Sequence, residues 1–167
     1  MPHMNLDGHT STSTLSKYLI PDLPTADDVM PYLRRIDHNR WYSNFGPLVC
    51  EFEERLLSRL SAEQPKALTE SPIYLTTLAS GHHALEVALR LSGVGPRATV
   101  LVPALTFVSC PLAVQHTGAE ALLADVDPSN WTLTPAIATA AVERMTIDAV
   151  MPVSVYGVPL PADDWDK

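Results

Sequence analysis

Three short segments hold residues whose types and spacing could do chemistry. In the first, Ala79-Ser80-Gly81-His82-His83, an apolar run gives way to a helical pattern. A helix start offers unpaired amides and the positive end of the dipole, Gly81 permits close backbone approach and Ser80 adds a hydroxyl, so the turn could seat an anion. The same residues also fit a plain cap at Ser80 and a tight turn at Gly81. His82 and His83, being adjacent, point in different directions on a helix and make a poor metal pair, which leaves an imidazole facing solvent or an anion. In the second segment, VPALTFVS, Thr106 and Phe107 follow an apolar run. If that run is a parallel strand, they sit at its carboxyl end, where open sheets bind ligands. Phe107 could stack on a flat ring there or simply fill the core. In the third, Asp125 and Asp127 form an Asp-x-Asp array that could hold a divalent metal for a nucleotide-sugar reaction, while Asp127-Pro128-Ser129-Asn130 equally makes an ordinary turn. Gly93-x-Gly95 lacks a third glycine and links a helix to a strand, so it is no dinucleotide fingerprint.

These segments need elements to position them. Residues 1–25 read as a mobile tail, polar and Ser/Thr-rich over residues 1–16. A weak helical pattern spans 26–36. A second helix is predicted from Gly46 and Pro47, with Val49, Phe52, Leu56 and Leu60 on its packed face and Glu51 paired with Arg55 on the other. From residue 73, short apolar runs alternate with helical stretches, the pattern of parallel strands joined by crossover helices. Four strands are predicted, IYLTTLA, ATVLVPA, AEALLADV and DAVMPVSVYG, with helices over 81–92, 107–117 and 135–144. Pro111 either delays the second of these helices or removes one of its hydrogen bonds. Asp163 and Asp164 stand where another helix cap would be, and the chain then stops, which suggests truncation.

Composition excludes several partners. A net charge of −8 with three lysines argues against a nucleic-acid surface. No run of about 18 apolar residues suggests a membrane span, and no leader pattern is evident, so a cytoplasmic location is expected. Cys50 and Cys110 are too few for a disulfide scaffold; both read as half-buried thiols, and neither has a spaced partner for zinc.

Four segments in fixed order resemble the DegT/StrS sugar aminotransferases, pyridoxal 5′-phosphate (PLP) enzymes of the aspartate-aminotransferase-like fold type. RWYSNFGPLVCEFEERL is similar to the family's Gly-Pro followed by a Phe-Glu helix. ASGHHALEVALRLSGVGP is similar to its Ser-Gly-Thr-x-Ala-Leu turn and helix with a Gly-x-Gly-Pro stop. VLVPALTFVS with ALLADVDPSNWTLTP resembles its Pro-Ala-x-Thr-Phe and Asp-Val-Asp-Pro pattern, and AVMPVSVYGVP its Pro-Val-His-x-Tyr-Gly strand end. The chain departs from the pattern at His82 for Thr, Ser154 for His and Thr134 for Asp.

The resemblance implies an α/β fold: a three-layer α/β/α arrangement holding an incomplete, mostly parallel sheet, with 26–167 as part of the PLP-transferase large domain. Ser80, Gly81 and His82 would lie against the PLP phosphate and Phe107 on its ring. Asn44, Gly46 and Pro47 would approach the substrate pocket near a dimer interface. The family's ring-nitrogen carboxylate and Schiff-base lysine come from later segments, and Lys17, Lys66 and Lys167 match neither, so no catalytic residue is assigned. The chain is therefore expected to be a partial aminotransferase that binds PLP weakly at best and is inactive alone. Full-length relatives would transfer an amino group from an amino acid to a nucleotide-linked keto sugar. Its expected partner is a second copy, a complementary chain or a full-length aminotransferase, and the alternative function is that of a noncatalytic subunit of such an enzyme.

Overall fold

Thr25 opens the first helix, α1 (Ala26–Asn39), through a reciprocal cap. Its hydroxyl accepts the Asp28 N–H at 3.3 Å, and its own N–H donates to the Asp28 carboxylate at 2.9 Å. The computed structural model describes residues 22–63 and 73–165; the expected tail up to residue 21 and all three lysines lie outside the described residues. The chain divides into two compact units after Leu75.

In the first unit, Pro47 takes the first position of α2 (Pro47–Glu63), as the Gly-Pro pair predicts. Gly46 is buried beneath Trp41, whose Cδ1 would lie 3.4 Å from an added Cβ. Glu51 bridges both helices, bonded to Arg35 at 2.6 Å and to Arg55 one turn along. The predicted packed face is only partly realised. Val49 and Leu56 are half-buried, but Phe52 and Leu60 are exposed, since the other described helix of this unit is too little to cover them. Cys50 is exposed too, contrary to the half-buried expectation, whereas Cys110 in the second unit is buried; neither is in a disulfide.

The second unit is a parallel sheet between two helical layers. Its elements are α3 (Gly81–Leu91), β1 (Thr99–Pro103), α4 (Ser109–His116), β2 (Glu120–Ala124), α5 (Pro135–Val142) and β3 (Ala149–Val150). The strand order is β2-β1-β3, with Thr99 opposite Glu120 and Val100 opposite Ala149. Because side chains alternate along a strand, β1 feeds two cores. Val100 and Val102 pack with Leu89 of α3 and with Ala113 and Val114 of α4. Leu101 faces the opposite way, onto Leu133 and Ala138 of the α5 layer. A right-handed crossover from β1 to β2 and another from β2 back past β1 to β3 must use opposite faces, which is the three-layer arrangement found.

Three of the differences from the sequence expectation have a plain physical cause. Residues 73–80 form no strand: they alternate half-buried and exposed from Ile73 to Leu78, as an extended chain does, but no described strand pairs with them. The fourth predicted strand shortens to Ala149–Val150, because it meets the sheet only along the middle of β1. Pro111 lands in the first turn of α4, where no intrahelical N–H is required, so the helix starts at Ser109 rather than 107. Thr134, a departure from the family pattern, caps α5 by accepting the Ile137 N–H at 3.4 Å, with Pro135 next. Among the described residues, no helix is long and apolar enough to cross a membrane.

Gly118 closes the α4–β2 turn at φ +88°, and a Cβ there would sit 3.1 Å from Pro96 Cγ. Gly118→Ala is therefore expected to lower stability by about 1–2 kcal/mol from the left-handed backbone, with the proline contact adding to it. A urea titration followed by far-ultraviolet circular dichroism checks this; an unchanged midpoint would contradict it.

Candidate functional site

The sheet order creates one distinctive place. The chain leaves β1 toward β2 on one side and returns to β3 on the other, so the crevice beyond the carboxyl ends of β1 and β3 lies at a topological switch point. A cavity of about 390 Å³ opens there, walled by Leu105, Thr106, Phe107 and Cys110 after β1 and by Val153 to Tyr156 after β3. Thr106 is anchored by its hydroxyl, which donates to Cys110 Sγ at 3.1 Å. Phe107 is not core: it is 75% exposed, as is Tyr156 at 84%. Tyr156 adopts φ +53°, uncommon for a side chain of that size, and its ring meets Trp131 edge-on at 6.3 Å. Two exposed aromatic rings on an apolar concave surface suit a flat, partly apolar ligand.

The turn before α3 has the predicted cap. Ser80 Oγ accepts the His83 N–H at 3.2 Å, and the Ser80 carbonyl accepts that of Ala84 at 3.0 Å. The Gly81 and His82 amides stand ahead of the intrahelical ladder and remain as donors. Gly81 is the informative residue. Its φ is not in the left-handed region and an added Cβ would meet nothing within 4 Å, so neither backbone conformation nor internal packing accounts for the glycine. Ser80 and Gly81 are not among the walls of the Phe107 cavity.

The His82 side chain goes elsewhere. Its Nε2 is 3.0 Å from His116 Nδ1, the rings meeting at 83°, so the imidazole is engaged with α4 and its backbone amide is what remains for an anion. Glu86 lies beside the pair, and the hydrogen bond from Arg90 holds its carboxyl below the usual carboxylate range. His116 is the residue that sequence reasoning missed. It is 34 positions from His82, and no local spacing joins them.

The Asp-x-Asp array resolves as a turn. Asp127 Oδ1 accepts both the Ser129 hydroxyl and its N–H, the latter at 2.7 Å, which lowers the Asp127 pKa. Asn130 Oδ1 likewise takes both Thr132 donors. Among the described residues, neither Asp125 nor Asp127 joins a group of three His, Cys, Asp or Glu donors that could hold a metal.

In the first unit, the Asn44 carbonyl accepts the Trp41 indole N–H at 3.1 Å, while Gly46 and Pro47 border a cavity of about 310 Å³ that also touches Trp41 and Tyr42.

The chain matches the DegT/DnrJ/EryC1/StrS aminotransferase family over residues 25–167. It is 34% identical to 3-amino-5-hydroxybenzoate synthase of Amycolatopsis mediterranei over 140 residues, which are 83% of this chain and 33% of that protein. It is also 34% identical to UDP-2-acetamido-2-deoxy-3-oxo-D-glucuronate aminotransferase of Pseudomonas aeruginosa, over 67% of this chain and 28% of that one. Among solved structures it resembles the PLP form of Spr1654 from Streptococcus pneumoniae, with a TM-score of 0.68 and 25% identity over 86% of this chain and 33% of that one. The chain thus spans about a third of the length of these relatives.

Proposed function

Since the chain belongs to the DegT/DnrJ/EryC1/StrS aminotransferase family, we propose that its second unit forms the phosphate-binding turn and ring-stacking wall of a PLP site used in amino transfer to a sugar-type substrate. The observation that carries this reading is Gly81, a helix-start glycine that nothing among the described residues requires. A ligand that must touch the backbone does require it.

The residues fit the cofactor. The Gly81 and His82 amides would hold the phosphate, and Ser80, whose oxygen already accepts from His83, retains its own O–H to donate outward. Phe107 would offer a ring face to the pyridine. PLP, when bound, supplies an electron-accepting ring and a carbonyl that carries the amino group between donor and acceptor. The chain's own residues orient the cofactor and shield one of its faces from water. The acceptor on this reading is a nucleotide-linked keto sugar, the kind of compound that the name of the Pseudomonas aeruginosa relative describes, and the donor is an amino acid, as the resemblance to the family implies. Asn44, Gly46 and Pro47 of the first unit are proposed as substrate contacts, a second copy or a related aminotransferase chain as the partner, and the cytoplasm as the location.

Binding of PLP and of pyridoxal, which lacks the phosphate, separates the two halves of this site. The phosphate should tighten binding by about 10–100-fold, the value of one or two charge-assisted hydrogen bonds. Phe107→Ala should weaken both ligands alike, by about 2–10-fold. Equal affinity for PLP and pyridoxal would remove the phosphate turn, and an indifferent Phe107→Ala would remove the stacking wall.

A further inference from the structure

The His82 and His116 imidazoles have no part in the cofactor reading, which uses the Gly81 and His82 amides and the Ser80 hydroxyl of the α3 turn. His82 and Glu86 are one helical turn apart on α3, and His116, the last residue of α4, reaches over to them. His116 Nδ1 is 3.0 Å from His82 Nε2 and 3.7 Å from a Glu86 carboxylate oxygen, and one donor atom from each of the three residues lies within 4.8 Å of the others. We propose that His82, Glu86 and His116 form a surface site for a borderline divalent transition metal such as Zn²⁺, clamping the start of α3 to the end of α4.

Two imidazoles and a carboxylate are a donor set that Zn²⁺ favours, with water completing a tetrahedron. Ligands at about 2.0–2.1 Å from a tetrahedral ion stand roughly 3.3 Å apart, so the two nitrogens must separate slightly and the carboxylate must close in. Both are side-chain movements. The outer contacts are already in place: Arg90 donates to the other Glu86 oxygen at 3.1 Å and to the His116 carbonyl at 2.6 Å. These bonds fix the orientation of one ligand and the backbone of another, as partners around metal sites do. The positive charge of Arg90 opposes a cation and weakens the expected affinity.

The test is calorimetric titration of the full chain with Zn²⁺ in phosphate-free buffer without PLP, and Co²⁺ absorption as a second readout. One ion should bind saturably per chain, and Co²⁺ should give the visible bands of a tetrahedral nitrogen–oxygen site. His116→Gln and His82→Gln should each lower affinity at least tenfold, while His83→Gln should leave it unchanged. Circular dichroism shows that each variant remains folded, and the Co²⁺ spectrum of the unaltered chain decides the matter should one of them not. No saturable binding, or equal binding by both variants, overturns the site. A failed PLP titration would leave it standing, because the two sites share no side chain.

Discussion

Leu101→Ala is expected to cost about 2–5 kcal/mol and to bring the second unit close to unfolding at ordinary temperature, because domains of this size have only about 5–15 kcal/mol to lose. Leu101 is 1% exposed in the central strand and packs on the α5 side against Leu133 and Ala138. Around it, Ile137, Ala141, Ile147 and Trp165 are only partly buried. The cavity left by three missing carbons would be walled by Leu133 and Ala138, which are themselves buried, so little can collapse into it. Leu123→Ala is the control. That leucine lies on the neighbouring strand but is 58% exposed, and its loss should stay within about 0.5 kcal/mol. Urea titrations of the two variants measure the difference; a Leu101→Ala cost under 1 kcal/mol would mean that the α5 layer is not packed as described.

The second large effect separates stability from binding at one position. Gly81→Ala should keep or slightly raise stability, because alanine favours the helix by up to about 1 kcal/mol and its methyl meets no atom of the described residues within 4 Å. The same methyl would stand where a phosphate must touch the Gly81 and His82 amides, so PLP affinity should fall at least tenfold while pyridoxal affinity is nearly unchanged. Loss of stability together with loss of binding would return Gly81 to a structural role. Unchanged PLP affinity would remove the turn from the proposed site.

Much of the fold could be read from residue order because local rules decide it. The Gly46-Pro47 start of α2, the cap at Ser80 and the two-residue alternation of β1 each act within a few positions. What failed was set by distant partners. Residues 73–79 have a strand's composition, but a strand exists only where another pairs with it, and the fourth predicted strand kept only the two residues that β1 could hold. The candidate site was legible in part for the same reason. Ser80 and Gly81 announce themselves by their place at a helix start, and Phe107 by following an apolar strand. The switch-point cavity needed the strand order, and the turn of His82 toward His116 needed the docking of α3 on α4.

The alternation along β1 has a consequence for how the second unit comes apart. Val100 and Val102 close one core and Leu101 the other, and all three share five residues of backbone. Neither helical layer can detach without exposing a strand on which the other depends, so the layers should melt together in a single cooperative transition. Amide protons of this central strand would then exchange with solvent only on global opening, and would be the last in this unit to do so.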